Sequence, residues 1–329
     1  MKGAPTSAEP TRPVTASSVT TLTRWIDSWA GMDELRALRT PVAEQRVDWL
    51  RVAPFLALHL SAVAVVWVGW SWTALGIAAA LYVVRMFAIT AFYHRYFSHR
   101  AFKTSRAAQF VFGLLGATSV QRGPLWWAAH HREHHRSSDT ADDPHSPLTR
   151  GFWWSHVGWI TARENFATRL EHVKDLAKFP ELRFLDRFDI LTPVAFFAAL
   201  YGLGALLESY APGLGTNGWQ LVVWGGVIST VVLFHATFTI NSLAHVWGKR
   251  VYPTSDTSRN NLWLALLTLG EGWHNNHHYY PGAARQGFTR WQIDPSYYAL
   301  KVLEKLGLVW DLRPVPQHIL ERGARREGV

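Results

Sequence analysis

The chain has 329 residues, 33 Lys and Arg against 24 Asp and Glu, and a formal net charge of +9. It contains no cysteine, which excludes disulfides, thiolate zinc sites, Cys-ligated iron–sulfur clusters and thioether-linked haem, so any metal must be held by His, Asn, Asp or Glu. It is 48% hydrophobic with 18 Trp, yet its mean hydropathy is only -0.03, because apolar and charged segments are separated: no Lys or Arg occurs from Val52 to Val84 or from Leu191 to Gly248.

Residues 1–45 are rich in Ser, Thr, Pro and Ala without the apolar stretch of a signal peptide, and read as a disordered cytosolic tail. Residues 52–70 and 72–92 follow as two segments long enough to cross a bilayer, joined by the short connector "GWSW". Residues 189–207 and 219–240 make a second pair, joined by "ESYAPGLGTNG". Four spans in two hairpins are therefore expected. The apolar stretches 107–120 and 261–270 are too short to span and suit packing under a cap or in the interface. Residues 313–329 form a basic C-terminal tail.

The basic residues lie almost wholly outside the two hairpins, which puts both termini and the 93–188 segment on the cytoplasmic side. Arg85 is the exception, expected to snorkel toward that interface.

Histidines cluster at the cytoplasmic ends of these spans. "HRYFSH" supplies His94 and His99; "HHREHH" supplies His130, His131, His134 and His135; "NSLAH" supplies Asn241 and His245; "GEGWHNNHHYYPG" supplies His274, His277 and His278. Residues three and four apart share a helix face, so His274, His277 and His278 are expected to aim at one point, as are His131, His134 and His135. His94 and His99 lie five apart, about 140° from facing each other on a regular helix. They can share a site only if the helix ends or distorts there; otherwise they bind different metals. Nine imidazoles are too many for one ion and imply two metals. "HHREHH" lacks the H-E-x-x-H order of zinc proteases, which weakens a hydrolase reading.

This set of motifs resembles the membrane fatty acid desaturases, in their acyl-CoA delta-9 (stearoyl-CoA type) branch. The resemblance runs from about residue 50 to 312 and includes "FWWSHVGW" after the second histidine box. It implies an all-α integral membrane protein whose cytosolic helical cap holds a His-rich di-metal site, and a desaturase domain over 46–312. It maps the ligands onto His94, His99, His131, His134, His135, His245, His274, His277 and His278, with Asn241 holding a water at one metal. His130 falls where many animal members have Asp and is left out; His59, His145, His156, His172, His235 and His318 match no ligand position.

Two iron ions are implied, with zinc as a substitute in purified protein. The implied reaction inserts a cis double bond into a saturated acyl chain, using O2 and two electrons. The chain has no cysteine for a cluster and no G-x-G-x-x-G, so those electrons come from an external donor: a ferredoxin, a cytochrome b5-like protein or a flavin reductase. The acyl carrier is CoA, with acyl carrier protein or phospholipid as alternatives; membrane lipid is a partner and nucleic acid is not.

Metal-bound imidazoles need acceptors for their outer N–H groups, and Glu133, Asp142, Asp143 and Glu271 are the candidates near the boxes. Gln121, Trp127 and Thr237 are expected at the bend of an acyl tunnel, with Phe238 where the family often has Trp. The inner ends of the first two spans, Ala79 and Ala80 among them, are expected as its wall. Lys103, Arg106, Arg122, Arg150 and Arg163 are candidates for CoA phosphates. A fatty-acyl or alkane hydroxylase of the same architecture is the alternative enzyme, separated by its product. A non-catalytic membrane metal-binding protein is the alternative of another class, separated by oxygen consumption.

Overall fold

The computed structural model describes residues 40–327; the tail expected over 1–45 lies mostly outside the described residues. Among the described residues, three helices are long and apolar enough to cross a membrane: α2 (Trp72–Ser98), α6 (Leu191–Tyr210) and α7 (Gly218–Val246). The segment expected as the first of four spans is shorter. Helix α1 (Trp49–Ser61) passes through a 3-10 turn at Ala62–Ala64 to Val65–Val68 and stops at Gly69, whose φ is +64°. Positive φ is cheap only for glycine, and the connector turns there. Ser71 then caps α2, its side chain accepting from the Ala74 amide at 3.1 Å.

Helix α2 outruns the expected 72–92, and its last 11 residues, Ala88–Ser98, are wound as a π-helix. Helix α3 (Arg106–Ala117), capped by Ser105, packs across it. Gly116 makes that crossing possible, since a Cβ there would run into the Tyr93 ring. Helix α4 (Pro124–Ser137) follows with proline at its start, where no amide donor is needed. Around these helices lies the main core, including Met86, Phe92, Tyr93, Phe97, Phe112 and Leu125.

Arg85 corrects its expectation. It does not snorkel but is buried within the bundle, donating to the Thr230 hydroxyl at 2.6 Å, to Ser229 and to the Leu81 and Thr118 carbonyls, with Phe196 under its guanidinium. Enough acceptors converge on it to replace water.

The cap is built from α4, α5 (Pro180–Arg187), α8 (Leu262–Leu267), α9 (His274–Tyr279) and α10 (Pro295–Lys305). A short ladder pairs β1 (Lys103–Thr104) antiparallel to β2 (Val309–Trp310). Within the 313–329 segment, α11 (Gln317–Glu327) returns to the body, burying Ile319 among Val251, Tyr252 and Phe288.

Candidate metal centre

Four elements deliver the histidines: the end of α2, the middle of α4, the last turn of α7 and α9. Their ring nitrogens converge in two groups. His94, His99, His131, His135 and His277 form one; His134, His245, His274 and His278 form the other, with the ligand atoms of each group within 4.8 Å of one another.

The distribution along each helix differs from the single focus expected. On α4, His131 and His135 serve the first group and His134 the second; on α9, His277 serves the first group, and His274 and His278 the second. Residues four apart on a helix differ by about 40° and residues three apart by about 60° the other way, so one helix wedged between two centres serves both. The His94 and His99 question is resolved by the backbone. The His99 amide donates to the His94 carbonyl at 3.3 Å, an i to i+5 bond of the π-helix, and the two rings come within 5.0 Å in the same group.

The first group is closed by nitrogen-to-nitrogen approaches: His94 Nε2 to His277 Nε2 at 2.9 Å, His277 Nε2 to His135 Nε2 at 2.9 Å, and His99 Nε2 to His131 Nε2 at 2.8 Å. In the second, His245 Nε2 lies 3.1 Å from His274 Nε2, while His134 Nε2 and His278 Nε2 are buried with no hydrogen-bond partner. Burial first, then the neighbouring imidazoles, hold His99, His131, His135, His274 and His277 well below the usual imidazole pKa; His278 is lowered to about 4. These six rings are therefore neutral at pH 7, with lone pairs available, whereas His134 is raised, burial being outweighed by the Asp143 carboxylate on its Nδ1. Buried neutral imidazoles converging with unmatched nitrogens suit two cations of the kind nitrogen ligands favour.

The outer nitrogens carry the complementary pattern. Nδ1 of His134 meets Asp143 at 3.0 Å, Nδ1 of His245 meets Asp139 at 3.0 Å, Nδ1 of His278 meets Asp256 at 2.8 Å, and Nδ1 of His94 meets Glu271. Each carboxylate fixes the tautomer and turns Nε2 inward. Burial opposes ionisation of all four carboxyls, but the imidazoles and other donors beside them keep them ionised, with pKa values below the usual range. Glu271 is itself held by Arg95, which also pairs with Asp294 at 2.9 Å. Of the expected acceptors, Asp143 and Glu271 stand here. Glu133 instead pairs with Arg169, and Asp142 stays at the surface. Sequence reasoning misses the acceptors Asp139 and Asp256, which sit in Ser/Thr-rich loops that look like ordinary turns, and also Gln286, whose Nε2 donates to Glu271 at 3.1 Å beside His94. His145 stacks on His134 with its Nδ1 3.7 Å from Asp143, and His130 is buried against Trp126 and Trp159 outside both groups.

An apolar cavity of about 490 Å³ runs from this centre between α1, α6 and α7, lined by Phe55, Leu58, Val194, Phe197 and Phe234 among others. All four expected tunnel residues line it: Gln121, Trp127, Thr237 and Phe238. Gln121 joins Thr237 at 3.1 Å and Trp127 at 3.3 Å. Trp127, His131, Thr237 and Asn241 also line a smaller cavity shared with His94, His134 and His274. Ala79 and Ala80 do not line the large cavity but face outward from α2; of the two spans expected to wall it, α1 does so, joined by α6 and α7 in place of the first part of α2.

The family model described as fatty acid desaturase matches residues 70–298. The chain is 38% identical over 271 residues to the palmitoyl-monogalactosyldiacylglycerol delta-7 desaturase of Arabidopsis thaliana, covering 81% of this chain and 69% of that one. It is 36% identical over 271 residues to the sn-1 stearoyl-lipid 9-desaturase of Anabaena variabilis (82% and 94%), and 39% over 256 residues to an acyl-CoA 5-desaturase of Anemone leveillei (77% and 75%). With a match over most of its length and the histidines of all four motifs gathered in two groups at the end of an apolar cavity that His131 reaches, the chain belongs to the fatty acid desaturases, which are oxygen-dependent oxidoreductases.

Proposed function

We propose that this chain is a delta-9 fatty acyl desaturase, which inserts a cis double bond into a saturated acyl chain using O2 and two electrons from an external ferredoxin, cytochrome b5-like protein or flavin reductase. The supporting observation is the junction of the apolar cavity with the two imidazole groups at Trp127, His131, Thr237 and Asn241. Two irons held by His94, His99, His131, His135 and His277, and by His134, His245, His274 and His278, would supply the oxidising power that no side chain has. Asn241 would hold a water beside the second group. The residues of the chain do the rest. The cavity excludes water and confines the methylenes, and the Gln121, Trp127 and Thr237 hydrogen bonds fix its shape at the junction.

In this reading residues 52–68 act as a fourth span beside α7, and the positive-inside bias places the cap and both termini in the cytoplasm.

The carrier has two readings. Acyl-CoA is the one expected from the sequence. A lipid-borne acyl chain is favoured by the cations proposed for CoA phosphates, most of which are engaged: Lys103 with Asp311 at 2.8 Å, Arg106 with Glu181 at 2.7 Å, Arg122 with Asp189 at 2.5 Å, and Arg150 with the Val42 and Gln45 carbonyls. Expression in a host lacking its own desaturase, followed by mass spectrometry of its lipids with double-bond localisation, is expected to reveal new cis-9 monounsaturated chains. Hydroxylated chains alone, or no new product, would overturn the proposal. Supplying the purified protein and a reductant with stearoyl-CoA or with stearoyl phospholipid vesicles separates the carriers.

A further inference from the structure

Two histidines lie inside apolar helices where no ligand position calls for them: His59 in α1 and His235 in α7. An imidazole among apolar spans is costly without partners. Here the partners form a chain. His59 Nδ1 lies 2.8 Å from the Phe55 carbonyl; His59 Nε2 lies 3.2 Å from His235 Nε2; His235 Nδ1 lies 3.1 Å from His156 Nε2; and His156 Nδ1 lies 2.9 Å from the Ser242 hydroxyl.

The protons in this chain can be placed by elimination. A carbonyl only accepts, so His59 carries its proton on Nδ1, and its Nε2 must accept. His235 then donates from Nε2 and accepts at Nδ1. His156 donates from Nε2 and accepts at Nδ1, taking the Ser242 proton. Three neutral imidazoles and one hydroxyl satisfy every ring nitrogen in one direction, from Ser242 to Phe55. The Phe238 carbonyl, 3.0 Å from the same hydroxyl, keeps the Ser242 amide at 3.2 Å. Because both His235 nitrogens are used within the chain, the arrangement does not converge on a metal.

The chain runs directly behind the aromatic wall of the cavity. Phe55 lies one turn from His59, and Phe234 and Phe238 flank His235. Phe55 stacks on Phe234 at 5.8 Å, Phe234 on Phe238 at 5.6 Å, and the His156 ring stands edge-on to Phe238 at 5.8 Å. Leu56 and Leu60 on α1 and Val63 in the 3-10 turn after it are exposed. Between helices in lipid, apolar contact alone gives little preference for one register, whereas a hydrogen bond between them does.

We propose that the His59–His235–His156 chain is a positioning device: it fixes α1 against α7 and the Phe152–His156 helix, and so sets the width of the cavity that selects the acyl chain. The proposal rests on the reading of that cavity as the acyl site. His59→Leu removes the acceptor for His235; His59→Gln restores one. Expected for His59→Leu are a KM for the preferred acyl substrate raised about threefold or more, a kcat changed less than about twofold, and a product spectrum broadened in chain length, with His59→Gln close to wild type. Unchanged KM and products in His59→Leu, or His59→Gln behaving like His59→Leu, would overturn it. An activity-independent arm compares the Tm of His59→Leu, His235→Leu and the double variant in detergent micelles. A loss in the double variant smaller than the sum of the two is expected, and additive losses would overturn the proposal. A wild-type protein that makes no unsaturated chain would sink the functional reading instead, and the Tm comparison would still decide whether the chain couples the helices.

Discussion

His135 Nε2 and His277 Nε2 stand 2.9 Å apart although 142 residues separate them, and the same His277 nitrogen lies 2.9 Å from His94 Nε2. One nitrogen of a neutral ring holds one lone pair or one proton, so His277 cannot satisfy both neighbours by hydrogen bonding. A shared cation would resolve the conflict by taking all three lone pairs. The helix bearing His277 also carries His274 and His278 to the other group, which ties the occupancy of one centre to the placement of the other.

His277→Ala and His278→Ala therefore remove one ligand from different groups. Each is expected to lower the metal content and to reduce desaturation by more than the roughly 10–100-fold typical of losing a supporting group, while membrane insertion is retained. Metal analysis with lipid product assays checks this. Wild-type turnover in either variant would contradict it.

Asp256 orients His278 through Nδ1 at 2.8 Å, whereas Glu133, equally close to a histidine motif in sequence, pairs with Arg169. Asp256→Ala is expected to cost roughly 10–100-fold in metal affinity or activity, and Glu133→Gln to leave metal content unchanged. Metal titration of the two purified variants makes the comparison; equal effects would contradict the assigned roles.

The histidine clusters are legible in the sequence because two segments repeat imidazoles at i, i+3 and i+4, and the residues along the cavity because their motifs match a known pattern. Adjacency to a histidine motif finds Asp143 and Glu271 but does not decide the role of a carboxylate, since Glu133 and Asp142 adjoin a motif without serving an imidazole and Asp139, nearer to His135 than Asp143 is, serves a histidine of another motif. Asp139 serves His245 across 106 residues and Asp256 serves His278 across 22, and both sit in loops whose Ser and Thr neighbours read as turn formers. The sharing of each helix between two centres depends on how helices pack, which spacing alone leaves open. Arg85 defeats the sequence reading because a lone cation in an apolar segment shows nothing of the Thr230, Ser229 and Thr118 acceptors that meet it.

Asp186 on α5 gives a pH dependence. It is buried, and burial pushes its carboxyl up from 3.8 to about 6, against the bonds from the Thr168 hydroxyl and the Trp126 amide. Between these values the folded state holds a proton that the unfolded state has released, so stability falls as pH rises, by about 3 kcal/mol in all. Asp186→Asn is expected to raise the Tm at pH 7 relative to wild type, with the gain shrinking toward pH 4. Thermal unfolding in detergent across this range checks it, and a gain independent of pH would contradict the account.

The cavity wall is testable by filling it. Leu58→Trp, on α1, should shift products toward shorter acyl chains with the double bond unmoved, whereas Ala80→Trp, on the outward face of α2, should leave chain length unchanged. The reverse outcome would place the acyl chain elsewhere.

The central claim is that nine imidazoles form two metal centres that power desaturation. It is tested most directly by counting metal in protein purified in active form, with the iron-to-chain ratio plotted against turnover across partially loaded samples. The account predicts two irons per chain at full activity, and no activity where fewer than two are bound. Full activity with one iron per chain, or with none, would contradict it.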